Sequence, residues 1–590
     1  MKNVKNLFGM AVMATALVGC SSNDNLNPNA NDNAGKAGTA YAKFTIQLPT
    51  VSGTRAVDSK TGTEFEGGTA DEYAVKDAQL VIFEKIGDSD PEGAYKFVET
   101  VNIGNLEPWT NNTPNTGVTR YANITAQLNS ASLDKTGKKY FALVILNNGS
   151  ESKVTLPTGH MTYSEWNVAA NAESAADFLN SDNGFYMSNA PLLKSGEPQT
   201  LVPINGVYST KEEAQTKPAT TVHVERGMAK VTVDGSDYTF DATSAFNKDK
   251  VSITKWTLDV MNQKTFPVHT TTGLTDKFAT IWSTDRFHAG ADPQRVYWGT
   301  DPNYSMTTLT SVAACKGEFY LLDRDGSTYN FDRTTGTGSS VTWADKTKPL
   351  YCLENTFDID NMKQGQTTRV VFKATYTPFV LTGATTAADK TFFMIGNNTK
   401  IWTKTILEQQ IANKAKELLN TTGTVTATIG GDLLNGGSHL LTTDNVTIEE
   451  GSVKKNDDII FADLNTKLGL DNTKKDVNGN PTVGIKTYEN GVCYYIARIK
   501  HFNELTPWPS TSGSRETYGT NNDANNALFL GRYGVLRNNW YDLEVTKFSA
   551  PGYPDVPVVD PKTPDDEDTK FINVEVKILD WAKRSQQVEL

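Results

Sequence analysis

KFINVEVKILDWAKRSQQVEL, Lys570 to Leu590, is the stretch from which the rest of the chain is read. Ile572, Val574, Val576 and Ile578 alternate with Asn573, Glu575 and Lys577, the period-two pattern of a strand with one apolar face. Ahead of it stands APGYPDVPVVDPKTPDDEDT (Ala550 to Thr569), with five prolines and six acidic residues. That composition predicts an extended, solvated arm with no core of its own. Twenty residues of polyproline II at about 3.1 Å each reach ~60 Å, against a diameter on the order of 40 Å for a 200-residue domain. The terminal strand is therefore long-armed enough either to fold back or to reach a neighbouring molecule.

The opposite end offers a matching strand. MKNVKNLFGMAVMATALVGC carries Lys2 and Lys5, an apolar run from Leu7 to Val18, and then Cys20. A charged start and a short apolar segment predict a signal peptide over residues 1–20. The LVGC ending resembles the bacterial lipobox, in which the cysteine is acylated and becomes the new N-terminus. SSNDNLNPNANDNAGKAG follows as a polar tether. In YAKFTIQLP, Tyr41 to Pro49, Ala42, Phe44, Ile46 and Leu48 alternate with Lys43, Thr45 and Gln47. The apolar spacing equals that of Ile572 to Ile578, so the two ends present interchangeable faces. VSGTRAVDSK comes next, and Arg55 before the small Ala56, in a polar loop, suits a trypsin-like protease.

Between these ends the pattern is that of an all-β protein. Glu72–Glu84, Asn123–Leu128, Lys138–Leu146, Thr220–Val233, Val251–Val260, Thr367–Tyr376, Val492–Ile499 and Trp540–Phe548 read as strands. Lys404–Asn420 reads as a helix, with Leu407, Ile411, Ala415 and Leu418 in a stripe, and Thr162–Asn180 as short helical pieces. Short strands, Gly/Asn/Thr-rich turns and few helices predict β-sandwiches. The expected divisions are 1–20 signal peptide, 21–55 propeptide with tether and removable strand, 56–220 and 221–549 sandwich domains, and 550–590 arm and terminal strand.

The chain has 590 residues and a formal charge of −12, which argues against a nucleic-acid binder, since that would need a basic face. Cys315, Cys352 and Cys493 sit in apolar runs without a CxxC pair and read as buried small hydrophobes, with a Cys315–Cys352 bridge in an oxidising compartment as the alternative that the odd count disfavours. HExxH, GxSxG, P-loop and GxGxxG motifs do not occur. Asp323-Arg324-Asp325-Gly326 and Asp476-Val477-Asn478-Gly479 lack the terminal Glu of a calcium loop and read as turns. The expectation is a non-enzyme with no metal and no cofactor. A competing reading, a glycan-binding surface lipoprotein, would use Trp298, Trp402 and Trp508 near turns to stack on sugars. A surface hydrolase is a further alternative that the missing motifs disfavour.

Taken in order, LVGC at Cys20, SGTRA around Arg55, VHVERGMAKV (Val222–Val231), YCLENT (Tyr351–Thr356), YGVLRNNWYDLEV (Tyr533–Val545) and INVEVKILDW near the end resemble the fimbrillins. These are the major stalk subunits of type V pili of anaerobic Gram-negative bacteria, and the resemblance is nearest to the short-fimbria type. It implies two transthyretin-like β-sandwich domains with a few short helices and a C-terminal donor strand. It implies a lipoprotein precursor, acylated (palmitate) at Cys20 and carried to the outer membrane. An arginine-specific protease would cut between Arg55 and Ala56 and release the strand holding Ala42, Phe44, Ile46 and Leu48. The donor strand of another copy, with Ile572, Val574, Val576 and Ile578, would then fill the groove in a surface fimbrium serving adhesion and biofilm formation. Other pilus subunits, an anchor and a tip, are implied partners. A stalk needs both groove and donor, an anchor keeps its first strand, and a tip lacks a donor. Both devices are legible here, which favours the stalk.

Overall fold

The computed structural model describes residues 40–49, 69–106, 110–111, 118–129, 139–149, 153–171, 178, 184–194, 197–233, 240, 244–274, 288–289, 294–296, 298–329, 339–381, 389–501, 530–565 and 572–580. Cys20, Arg55, Ala56 and Trp508 lie outside the described residues.

The first sheet contains β1 (Ala40–Pro49), β2 (Ala78–Lys85), β3 (Lys96–Asn102), β4 (Thr110–Asn111), β5 (Val118–Leu128), β6 (Lys139–Leu146), β7 (Met187–Asn189) and β8 (Thr220–Arg226). Its order is β3-β2-β6-β7-β8-β1-β5-β4, with Val202–Pro203 beside β6. The sheet folds over on itself. Phe44 and Ile46 of β1, Leu80 and Ile82 of β2, Leu128 of β5 and Val144 of β6 share one core. The alternate residues of β2 and β6, Val81, Phe83, Leu143 and Ile145, pack on Trp166 and Tyr186 in a second core. Burial on both faces is why β6 reads as an unbroken apolar run.

The long alternating strand expected over Thr220–Val233 is two strands, β8 and β9 (Met228–Val233), divided at Gly227. A Cβ on Gly227 would run into the Phe178 ring and stand 2.9 Å from Tyr186 Cδ1, so the crossing has room only for glycine. β8 pairs within the first sheet and β9 opens the second sandwich, so the chain changes sandwich at Gly227.

In the second sandwich, one sheet has the order β11-β9-β14-β15 and the facing sheet β10-β12-β13. These are β10 (Lys250–Asp259), β11 (Leu350–Leu353), β12 (Arg369–Thr377), β13 (Val492–Arg498), β14 (Asn539–Phe548) and β15 (Ile572–Asp580). Val231, Trp256, Val370, Phe372, Tyr495, Tyr541, Leu543 and Phe548 fill the space between them. Cys315, Cys352 and Cys493 are free and buried, and burial pushes the pKa of each thiol up to about 12.

Two further features depart from the sequence expectation. The first is a module with its own core between β12 and β13, which are adjacent antiparallel strands. Its helix α2 (Lys404–Leu419) buries Leu407, Ile411, Ala412 and Ala415 against Ile429, Ile448 and Ile485. Thr403 caps the helix by accepting from Ile406 N at 3.3 Å, and Asn420 ends it at φ 49°. The strands of this module run two to five residues, too short to show a period.

The second is a correction. Residues 550–565, expected as a solvated arm, pack along the second sandwich, and between Pro551 and Asp565 only Lys562 is exposed. Val556 and Val559 enter small apolar clusters, the latter with Cys315, Phe319 and Leu321. Composition alone misleads here because prolines hold an extended backbone with few N–H groups to satisfy. Several of the remaining donors find partners on the body.

Candidate functional site

β1 is an interior strand. It runs antiparallel to β5, with Ala40 opposite Leu128, Ala42 opposite Ala126, Phe44 opposite Ile124 and Ile46 opposite Ala122. On its other edge it runs parallel to β8, with Phe44 opposite Thr220 and Gln47 opposite His223. Ala40, Ala42, Phe44 and Ile46 are fully buried and Leu48 is 2% exposed, while Tyr41, Lys43, Thr45 and Gln47 are half-buried on the other face. Period-two alternation on a two-sided ladder produces this partition.

Polar contacts hold the strand's outer face. Tyr41 and Tyr208 exchange two backbone hydrogen bonds of 2.8 Å. Lys43 Nζ donates to the Gln215 carbonyl at 3.0 Å, and Thr45 Oγ1 donates to Asn123 Oδ1 at 2.6 Å. The backbone of β8 is shared, residues 220–223 pairing with β1 and 224–226 with β7. Taking β1 away would leave β5 with an open edge and the first half of β8 unpaired on that side. That is a slot with an apolar floor and two hydrogen-bonding rims.

The direction of β1 carries its Pro49 end toward the Gly227 crossing, because it is parallel to β8. The chain is next described at Thr69, which caps α1 (Ala70–Tyr73) and whose amide donates to Glu72 Oε2 at 2.9 Å. Glu72 sits at the same crossing. It forms a 2.7 Å ion pair with Lys230 of β9, with side chains 1% and 5% exposed, and accepts from Tyr351 Oη at 2.7 Å. Arg226 Nε donates to the Glu72 carbonyl at 2.7 Å. Burial works against the Glu72 carboxylate, but Lys230 and Tyr351 outweigh it and hold its titration below the usual carboxylate range. Lys230 Nζ also lies 3.7 Å above the Trp540 ring of β14. The described chain thus leaves β1 heading toward this crossing and resumes at it.

β15 lies at the edge of its sheet, antiparallel to β14 of the same molecule. Ile572, Val574, Val576 and Ile578 stand opposite Phe548, Val545, Leu543 and Tyr541, the four buried apolar positions of β14.

Other residues singled out in the sequence have structural settings. Asp325 Oδ1 accepts from Ser327 N and Oγ, and Asp476 accepts from Asn478 N, Asn480 N and Asn480 Nδ2, which closes both loops as turns. His223 is half-buried on β8, and burial holds its imidazole below its usual range. Trp298 is fully buried and Trp402 is 8% exposed, so neither offers a face to a sugar. Glu72, Lys230, Tyr208 and Gln215 escaped the sequence reading. The signal for the first pair was Glu225, Arg226 and Lys230 inside the otherwise largely apolar VHVERGMAKV.

Residues 486–587 match the C-terminal family model of fimbrillin, major fimbrial subunit protein type IV. The match spans β13, β14, the docked segment and β15. No curated protein matches the chain. Among solved structures, it is similar to a candidate cell adhesion protein from Parabacteroides distasonis (11% identity, 92% of this chain and 98% of the other, TM-score 0.37). A second candidate cell adhesion protein, from Bacteroides eggerthii, is 12% identical over 94% of this chain and 98% of the other, with TM-score 0.32. A fimbrial assembly protein from Parabacteroides distasonis is 11% identical over 57% of this chain and 95% of the other, with TM-score 0.23.

Proposed function

Starting from a chain whose C-terminal region is similar to that of fimbrillin, we propose that it is the stalk subunit of a surface fimbrium assembled by strand exchange. The observation that carries the reading is the position of β1, an interior strand with five inward residues in the core and the Arg55 segment directly after it. Each large apolar side chain of β1 contributes about 1.5–3 kcal/mol of burial, and the ladder bonds about 0.5–1.5 kcal/mol each. A slot emptied of these groups demands a replacement of the same period. The terminal strand has that period and stands at a sheet edge, paired on one side only within its sheet.

In this reading the precursor is exported, acylated at Cys20 and held at the outer membrane with β1 in place. Cleavage between Arg55 and Ala56 by an arginine-specific protease frees β1 with its lipid. The strand of a second copy, bearing Ile572, Val574, Val576 and Ile578, leaves its own β14 and enters between β5 and β8. The division into a 21–55 propeptide, two sandwich domains and a C-terminal donor belongs to the same reading, and so does a non-catalytic role in adhesion and biofilm formation. The glycan-binding alternative loses two of its three candidate tryptophans with the burial of Trp298 and Trp402.

The test is fibre formation by Arg55→Ala. The variant should accumulate as a folded, lipidated monomer; normal fibres from it would overturn the stalk assignment.

A further inference from the structure

Building on the strand-exchange reading, we infer that residues 550–565 are not a free tether. They stay fastened to the second sandwich when the terminal strand is donated, so that the donor leaves the body at Asp565. The fastening runs the length of the segment. Tyr495 Oη donates to the Ala550 carbonyl at 3.1 Å and Tyr488 Oη to the Gly552 carbonyl at 2.9 Å. Tyr553 and Tyr494 exchange backbone bonds of 2.7 and 2.8 Å. A Cβ on Gly552 would run into the Tyr494 carbonyl, so this close approach requires glycine. Asp555 pairs with Arg324, and Val556 N donates to the Arg324 carbonyl at 2.9 Å. Gln364 N donates to the Thr563 carbonyl at 3.0 Å, and Lys363 and Pro564 form an antiparallel bridge. At the end, Asp565 is 1% exposed, accepts from Thr367 Oγ1 at 2.7 Å and donates its amide to the Met362 carbonyl at 3.2 Å.

Peeling this segment off would open the clusters that hold Val556 and Val559 and take Asp565 away from Thr367. Releasing β15 alone breaks its one ladder, with β14, and its approach to β13 of the facing sheet. The consequence for assembly is geometric. A free arm from Ala550 would reach ~60 Å, whereas residues 566–571 span only about 20–25 Å when fully extended. The acceptor slot of the next subunit must therefore come close to Asp565, and the axial repeat is set by the bodies and not by a flexible linker.

Two cysteine locks in the cleaved full chain test this. Lys363→Cys with Pro564→Cys pins the docked segment, and Glu544→Cys with Glu575→Cys, opposite each other in register, pins β15 to β14. The oxidised 363/564 double variant is expected to polymerise with the same yield and axial repeat as its reduced form. The oxidised 544/575 double variant is expected to stay monomeric until reduced. Polymerisation blocked by the 363/564 lock and restored by reduction would overturn this inference while leaving strand donation intact. Polymerisation with the 544/575 lock closed would overturn donation itself, and this inference with it. Amide exchange of the unmutated chain gives the independent check. Tyr553, Val556 and Asp565 amides should be equally protected in monomer and fibre, and rapid exchange in the fibre would contradict the proposal.

Discussion

Ile46 stands opposite Val222 in the parallel ladder between β1 and β8, and both side chains are fully buried. A segment outside the expected mature chain thus completes the core of the first sandwich. Its removal would weaken that core and unpair the edges of β5 and β8 that face it.

The first prediction follows from that dependence. Phe44→Ala should lower precursor stability by about 3–5 kcal/mol, the usual cost of emptying an aromatic site in a core. Gln47→Ser, on the outer face, should stay within about 0.5 kcal/mol. Thermal melts of the precursor measure both. Fibres made from either variant should melt like the unmutated fibre, since under strand exchange residue 44 would leave with the propeptide. A fibre destabilised by Phe44→Ala would mean that β1 stays in the mature subunit.

The second prediction concerns the crossing at Gly227. Glu72→Gln removes one partner of a buried ion pair and should cost about 3–5 kcal/mol at neutral pH. The sign with pH is fixed by the lowered titration of Glu72. Its contribution is present above the unfolded-state value of ~4.3 and is lost as pH falls through the lower folded-state value. The melting-temperature gap between the two proteins should therefore be wide at pH 7 and shrink toward pH 3. A gap independent of pH would remove the ion pair as its cause.

The third prediction addresses register. A one-residue slip turns the apolar set of an alternating strand to the other face. Val574→Asp and Val576→Asp should leave a folded, cleavable monomer that forms no fibres, because a carboxylate in an apolar slot costs several kcal/mol. Glu575→Lys should polymerise normally. Equal fibre yield from Val576→Asp and Glu575→Lys would show that Ile572–Ile578 is not the inserted strand.

How much of this was legible beforehand depends on element length. β1, β6, β10, β12, β14 and α2 were readable because each spans enough residues for its period to show, and their observed limits lie within a few residues of the expected ones. β5 begins at Val118, well ahead of the expected Asn123. The module between β12 and β13 was not legible, because its strands are too short and its core is assembled from pieces far apart in sequence. The slot itself was half legible. The alternation of Ala42 to Leu48 showed an inward face, but nothing local reveals that Thr220 and Ile124 are its neighbours. The docked segment was misread because proline and acid content describes what a stretch cannot do alone, not what surface it meets. The tyrosines of β13 and the Met362–Thr367 turn supply much of that surface.

The most direct test of the account is the N-terminal residue of subunits extracted from assembled fibres, read by mass spectrometry of the N-terminal peptide. Strand exchange after processing predicts that the chain begins at Ala56 and that the peptide containing Phe44 and Ile46 is absent. Fibre subunits that begin at Cys20, with residues 40–49 still in place, would contradict it.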